Sequence, residues 1–307
     1  MQKKMSTLVA LGLALALGAC NQPVPGVNPP TNTTPVSQAE AIDTTDAIND
    51  EIISATGTAT VGGTVAFASF GSVSLASLQS GLGVQASRPA CVTVSPSPVV
   101  DSDGDGVPDS ATYTFDCSRD GPLFAGSKKG TIQIADPSSD VGVWGFDSNI
   151  NLTETHTSKL RGITVTDVRT GSRSPRKTSD QLVQSHNITV QRSVTGLATP
   201  WNATIQNQWN LTFNATTAGS IVMGSPLPAG SIQIAGSYSV TRDGTVRAWT
   251  LSTPLPLSYD PACTDDLKIV GGKLLATLNT SSGAGGTLEV VYGACGTDPV
   301  VTRTPNS

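Results

Sequence analysis

From Cys91 onward, apolar residues recur at every second position in run after run, and this one property excludes most folds. Successive side chains of a β-strand point to opposite faces, so period-two alternation marks strands with one face in a core. The longest run is Trp201, Ala203, Ile205, Trp209, Leu211 and Phe213. Shorter runs precede it at Trp144 to Leu152 and Ile188 to Val194, and others follow at Ile232 to Val240, Trp249 to Leu251, Leu274 to Leu278 and Leu288 to Tyr292. Turn formers such as Asp243-Gly244 and Ser282-Gly283 separate the runs. The pattern predicts an all-β domain, an antiparallel meander of roughly ten to twelve strands. A sheet that wide curls, splits or closes, so a barrel-like or two-sheet body is expected. Only 13% of the residues are charged, which suits neutral-polar solvent faces and disfavours a helical bundle built from Glu, Lys and Leu. Gly130-Thr131-Ile132-Gln133-Ile134-Ala135 nearly repeats as Gly230-Ser231-Ile232-Gln233-Ile234-Ala235. Six residues of strand-forming sequence recur easily by chance, so a duplicated half-domain is the less favoured explanation.

Residues 1–90 lack the alternation. Lys3 and Lys4 precede an apolar run from Thr7 to Ala19, the pattern of a secretion leader. The run falls short of the roughly 20 residues that span a bilayer, so cleavage is expected rather than crossing. It closes on Leu17-Gly18-Ala19-Cys20. These four residues resemble a bacterial lipobox, where a cysteine receives a diacylglycerol and a peptidase cuts just before it. The resemblance implies a signal peptide over 1–19, a mature chain beginning at lipidated Cys20, and membrane attachment through that lipid alone. Asn21 stands where an Asp would favour inner-membrane retention, which leans toward the outer membrane or cell surface. Five prolines between Pro23 and Pro35 make 20–37 an extended tether. Ser37-Gln38-Ala39-Glu40 has the form of a capping box. Ala41, Thr45, Ile48, Ile52 and Ala55 follow at helical spacing, predicting a short helix over 38–56 and an irregular lead-in to residue 90. The β-domain is then 91–300 and the tail 301–307.

Five cysteines divide as one and four. Cys20 belongs to the lipobox, and Cys91, Cys117, Cys263 and Cys295 suit two disulfides in an oxidising compartment. Three pairings are open. Cys91–Cys117 with Cys263–Cys295 is favoured because each pair brackets one expected hairpin. Metal ligation lacks a Cys-x-x-Cys or a nearby His.

The segment with specific chemistry is Asp101-Ser102-Asp103-Gly104-Asp105-Gly106-Val107-Pro108-Asp109. Ca2+ takes six to eight oxygen ligands, and a tight loop with carboxylates at positions 1, 3, 5 and 9 and a carbonyl at 7 wraps it. Asp101, Asp103, Asp105 and Asp109 take those places, with the Val107 carbonyl between. The loop resembles the calcium loops of thrombospondin type 3 repeats and their bacterial relatives over these nine residues. Thr112 stands where an EF-hand would carry a bidentate Glu, and strand-like sequence follows it, so an EF-hand switch is not expected. A calcium ion here would be structural.

Nothing assembles a catalytic constellation. His156 and His186 lie in Thr- and Asn-rich strand sequence and read as exposed strand residues. Lys128-Lys129 and Arg173, Arg176 and Lys177 read as solvated turns, and Asp265-Asp266 as solvated charge. No Gly-x-Ser-x-Gly, phosphate loop or His-Glu-x-x-His occurs. The formal charge is −5, and loss of Lys3 and Lys4 leaves 16 basic against 23 acidic residues, or −7, which argues against nucleic acid as a partner. The expected function is a lipid-anchored cell-envelope protein with a structural or binding role and no enzymatic activity. One alternative is a carrier whose inner face, with Trp144, Trp201, Trp209 and Trp249, holds an apolar ligand. The other is a glycan-acting hydrolase, which needs two carboxylates in a cleft.

Overall fold

The computed structural model describes residues 90–140, 143–178, 180–222, 227–242, 244–264, 268–280 and 283–305. The leader, the tether and the helix expected over 38–56 lie outside them. Twelve strands succeed one another: β1 (Val92–Ser95), β2 (Ser110–Asp120), β3 (Phe124–Ala135), β4 (Asp147–Ser158), β5 (Ile163–Lys177), β6 (Gln181–Thr195), β7 (Trp201–Ala215), β8 (Gly230–Arg242), β9 (Thr245–Tyr259), β10 (Ile269–Thr280), β11 (Gly283–Tyr292) and β12 (Val300–Pro305). Each pairs antiparallel with the next, in one sheet whose spatial order is the chain order. The meander is as expected, but it is one sheet rather than two, and it is open, with β1 and β12 as its edges. β12 also takes most of the stretch expected as a tail, because Val301 reaches the core margin opposite Val290.

Alternation sorts the two faces. Inward, Leu182, Ile188, Leu211, Phe213, Ile232, Leu257 and Leu274 are fully buried, and most buried apolar side chains of β1–β4 and β6–β11 form a single cluster. Outward, β7 shows Asn202, Thr204, Gln206, Gln208, Asn210 and Thr212. Amides and hydroxyls there bond across strands, as Gln208 Nε2 does to Asn187 Oδ1 at 3.4 Å, so this face is solvated without charge. Glycine lets the sheet bend where a side chain would collide. At Gly171 (φ 140°) a Cβ would meet the Asn187 carbonyl oxygen at 2.0 Å, and at Gly130 (φ 123°) the Asn151 carbonyl oxygen at 2.1 Å.

The two ends of the sheet differ. Short connections close one end, here the upper, including that between Arg242 of β8 and Thr245 of β9. Longer loops crowd the lower end and fold Val107, Trp144, Ile221 and Leu227 into the core. Both expected disulfides form. Cys91–Cys117 ties the start of β1 to β2, and Cys263–Cys295 joins the β9–β10 and β11–β12 loops, with Cα separations of 4.9 and 5.6 Å. The hexapeptide echo has unequal settings: Gly130 sits within β3 at positive φ, whereas Gly230 opens β8.

Candidate metal centre

The aspartate loop joins β1 to β2 at the lower end, and its carboxylates organise their own backbone. Asp101 takes the Gly104 amide on Oδ1 at 2.8 Å and the Gly106 amide on Oδ2 at 3.1 Å. Asp103 and Asp105 each accept an amide two residues on, Asp105 Oδ1 taking that of Val107 at 2.7 Å. These are the short side-chain turns that Asp favours. Gly104 and Gly106, at φ 74° and 94°, supply the left-handed backbone that draws the loop tight.

The result gathers three of the expected ligands. Asp101, Asp103 and Asp105 each present an oxygen within 4.8 Å of the others. Asp103 Oδ2 and Asp105 Oδ2 are shielded from solvent and accept no hydrogen bond. Burial, followed by the charges of Asp103, Asp136 and Asp101, pushes the Asp105 carboxyl up to about 6, against the pull of the Val107 amide. Crowded anions hold a proton in this way when no cation compensates them. Asp109 stands apart from the trio. Its carboxylate takes the Ser102 amide at 2.7 Å and the Ser102 hydroxyl at 2.5 Å, which hold it below the usual carboxylate range. The Val107 side chain is buried at 1% exposure and anchors the loop to the core. Asp136, just after β3, is a fourth acid near Asp105, and its amide donates to the Asp109 carbonyl at 3.3 Å. Sequence spacing gives no sign of it, because it arrives from another hairpin.

Other residues read from the sequence fall differently. His186 is buried and stacks on Trp209, because position 186 shares its face with Leu182 and Ile188. His156 is exposed as expected. Lys128 lies inside β3 rather than in a turn, 1% exposed, ion-paired with Glu154 and 5.7 Å from the Phe115 ring centroid. Arg173 is buried within β5. Arg176 donates to the carbonyls of Phe146 and Pro175 at 2.6 and 2.8 Å and to Asp147 Oδ1 at 2.6 Å, fastening the β3–β4 loop. For His186, Lys128 and Arg173 the common reason is strand parity: a basic residue at an even step of an inward run goes inside with the run. Asp265 and Asp266 lie outside the described residues, as does Cys20.

In comparisons with known proteins, no family model, no curated protein and no solved structure matches this chain.

Proposed function

We propose that this chain is a cell-envelope lipoprotein, held to a membrane by a diacylglycerol on Cys20, whose β-domain is a structural or binding module stapled by one calcium ion. The observation that carries the reading is the aspartate loop, where three carboxylates converge and two of their oxygens accept no hydrogen bond. Asp101, Asp103 and Asp105 would hold the ion, with Asp136 adding charge. Asp109 would join by exchanging its bonds to Ser102 for the metal. Two disulfides suit the oxidising compartment outside the cytosol, where calcium is abundant.

Enzymatic and carrier readings draw less support. Glu154 and Asp167 are cross-strand partners on the inner face, but neither carboxylate is free to act on a substrate. Arg192 occupies both Asp167 oxygens at 2.7 and 2.8 Å, and Lys128 holds Glu154. Trp144, Trp209 and Trp249 are buried within the core cluster, so they serve packing rather than a lining for an apolar ligand.

Mass spectrometry of protein extracted from the producing cell tests the anchor: an acylated peptide beginning at Cys20 is expected, and an unmodified chain beginning elsewhere overturns it. Melting in millimolar Ca2+ against chelator tests the staple. A rise of a few degrees is expected, and no shift together with no calorimetric binding overturns it.

A further inference from the structure

The two ends of the sheet carry opposite charge. At the lower end, Asp101, Asp103, Asp105 and Asp109 crowd the β1–β2 loop and Asp136 and Asp140 the β3–β4 loop, and neither loop contains a Lys or Arg. At the upper end, the β2–β3, β4–β5 and β6–β7 turns contain Lys159 and Arg161 and no acid. Arg119 is exposed near the end of β2, and its neighbour Asp120 is ion-paired to Lys159. Arg119, Lys159 and Arg161 thus stand against Asp120 alone at these tips, in a chain of net charge −5. Large apolar side chains lie among them. Leu160 is 81% exposed, and Leu123 and Phe124 are each 53% exposed. Their turns are neighbours: Phe124 is the register partner of Ser158, and the Lys159 amide donates to the Leu123 carbonyl at 2.9 Å. The third turn abuts the second, since a Cβ on Gly196 would lie 1.8 Å from the Gly162 carbonyl oxygen. The three tips form one continuous cap, and apolar side chains gathered in water in this way mark an interaction surface.

We propose that this cap docks on an anionic lipid surface, with Leu123, Phe124 and Leu160 entering the boundary between headgroups and acyl chains while Arg119, Lys159 and Arg161 meet the headgroup phosphates. Apolar side chains flanked by Lys and Arg bind such a surface through apolar burial and charge attraction together. Carried on adjoining turns, these three project rather than enclose, which suits a fluid layer that closes round each of them. Charge decides which end approaches. Val100 and Val143, at the lower end, are exposed too, but they sit in the two aspartate-rich loops, which an anionic surface repels. The opposed charge of the two ends orients the approach, with the aspartate loop turned to solvent. Docking through the tips adds a second contact to an anchor at Cys20 and holds without one, because it uses only residues of the cap.

Hydrogen exchange with mass spectrometry on the purified full chain tests the proposal, with vesicles of phosphatidylglycerol and phosphatidylethanolamine as the probe. Peptides covering 119–124 and 158–163 are expected to exchange about tenfold more slowly on these vesicles than in buffer, while 100–109 and 136–140 keep their rates. The slowing is expected to vanish on phosphatidylcholine vesicles, in about 1 M NaCl and in Leu123→Ser/Phe124→Ser/Leu160→Ser. That variant keeps the N-terminal segment, so its difference from wild type belongs to the tips whatever else holds the chain to the vesicle. A chain that proves not to be acylated at Cys20 leaves the expectation unchanged. Tip exchange that the anionic vesicles do not alter, slowing that is equal on phosphatidylcholine, or slowing confined to 100–109 overturns the proposal. Should the triple variant not fold, Lys159→Gln/Arg161→Gln decides: weakened slowing supports the proposal, and undiminished slowing overturns it. Tip protection that is present without vesicles and lost on dilution assigns the cap to a second copy and overturns the lipid reading.

Discussion

The His186 imidazole stacks face to face on the Trp209 indole, with ring centroids 4.5 Å apart and planes within 12°. The two are register partners on β6 and β7, and both are buried. Burial, then the charges of Arg173 and Arg169, pushes the imidazole down to about 2 from an ordinary 6.5. The folded state keeps it neutral while the unfolded chain takes up a proton. Stability from this group is therefore full above pH 6.5 and declines as pH falls toward 2, by as much as about 1.4 kcal/mol per pH unit. Urea unfolding at pH 6.5 and 4.5 should show a loss of roughly 2 kcal/mol that His186→Phe removes.

Strand-centre glycine and turn glycine should respond differently to the same change. Gly171→Ala drives a Cβ to 2.0 Å from a carbonyl oxygen at φ 140°, whereas Gly244, at φ 77°, has nothing within 4 Å. The first should cost at least about 3 kcal/mol and the second about 1 kcal/mol. Comparing their unfolding midpoints checks both.

Calcium binding should expel a proton. With the Asp105 carboxyl raised to about 6, the metal-free folded state holds a proton that the unfolded chain, titrating near 3.8, has lost. Metal-free stability therefore falls as pH climbs from about 4 to about 6, and coordination requires the carboxylate. Calorimetry at pH 5.5 in buffers of different ionisation enthalpy should reveal release of most of a proton, vanishing at pH 7.5 and in Asp105→Asn.

The buried pair of Lys128 and Glu154 should be costly to break and cheap to replace. Burial pulls the Lys128 ammonium down to about 8 despite its partner. Glu154→Gln removes the carboxylate paired with that charge and should cost about 3–5 kcal/mol, while Lys128→Met/Glu154→Leu should stay within about 1 kcal/mol of wild type. Denaturant titrations of the single and double variants measure both.

Much of this fold was legible in the chain, because period two identifies both a strand and its buried face. Trp209, Leu211 and Phe213 declared β7, and the hairpin-bracketing cysteines declared their partners. Whether the sheet closes depends on twist and coiling summed over many strands, which alternation does not record. The same alternation held the information that His186, Lys128 and Arg173 point inward, but their chemistry suggested solvent. Burial follows backbone parity, and the side chains then find partners: a Trp face, a Glu, a carbonyl. At the aspartate loop, spacing found Asp101, Asp103 and Asp105, missed Asp136, and gave no hint that Ser102 would occupy Asp109.

A sheet whose spatial order equals its chain order has a kinetic consequence. Each strand pairs with the one made just before it, so no ladder waits for a distant segment and the contact order is low for an all-β protein. Assembly can advance hairpin by hairpin, like a zip, in the order in which residues emerge. A chain emerging from its N-terminus would meet each partner strand already in place, so that at every stage only two strands stand at an edge.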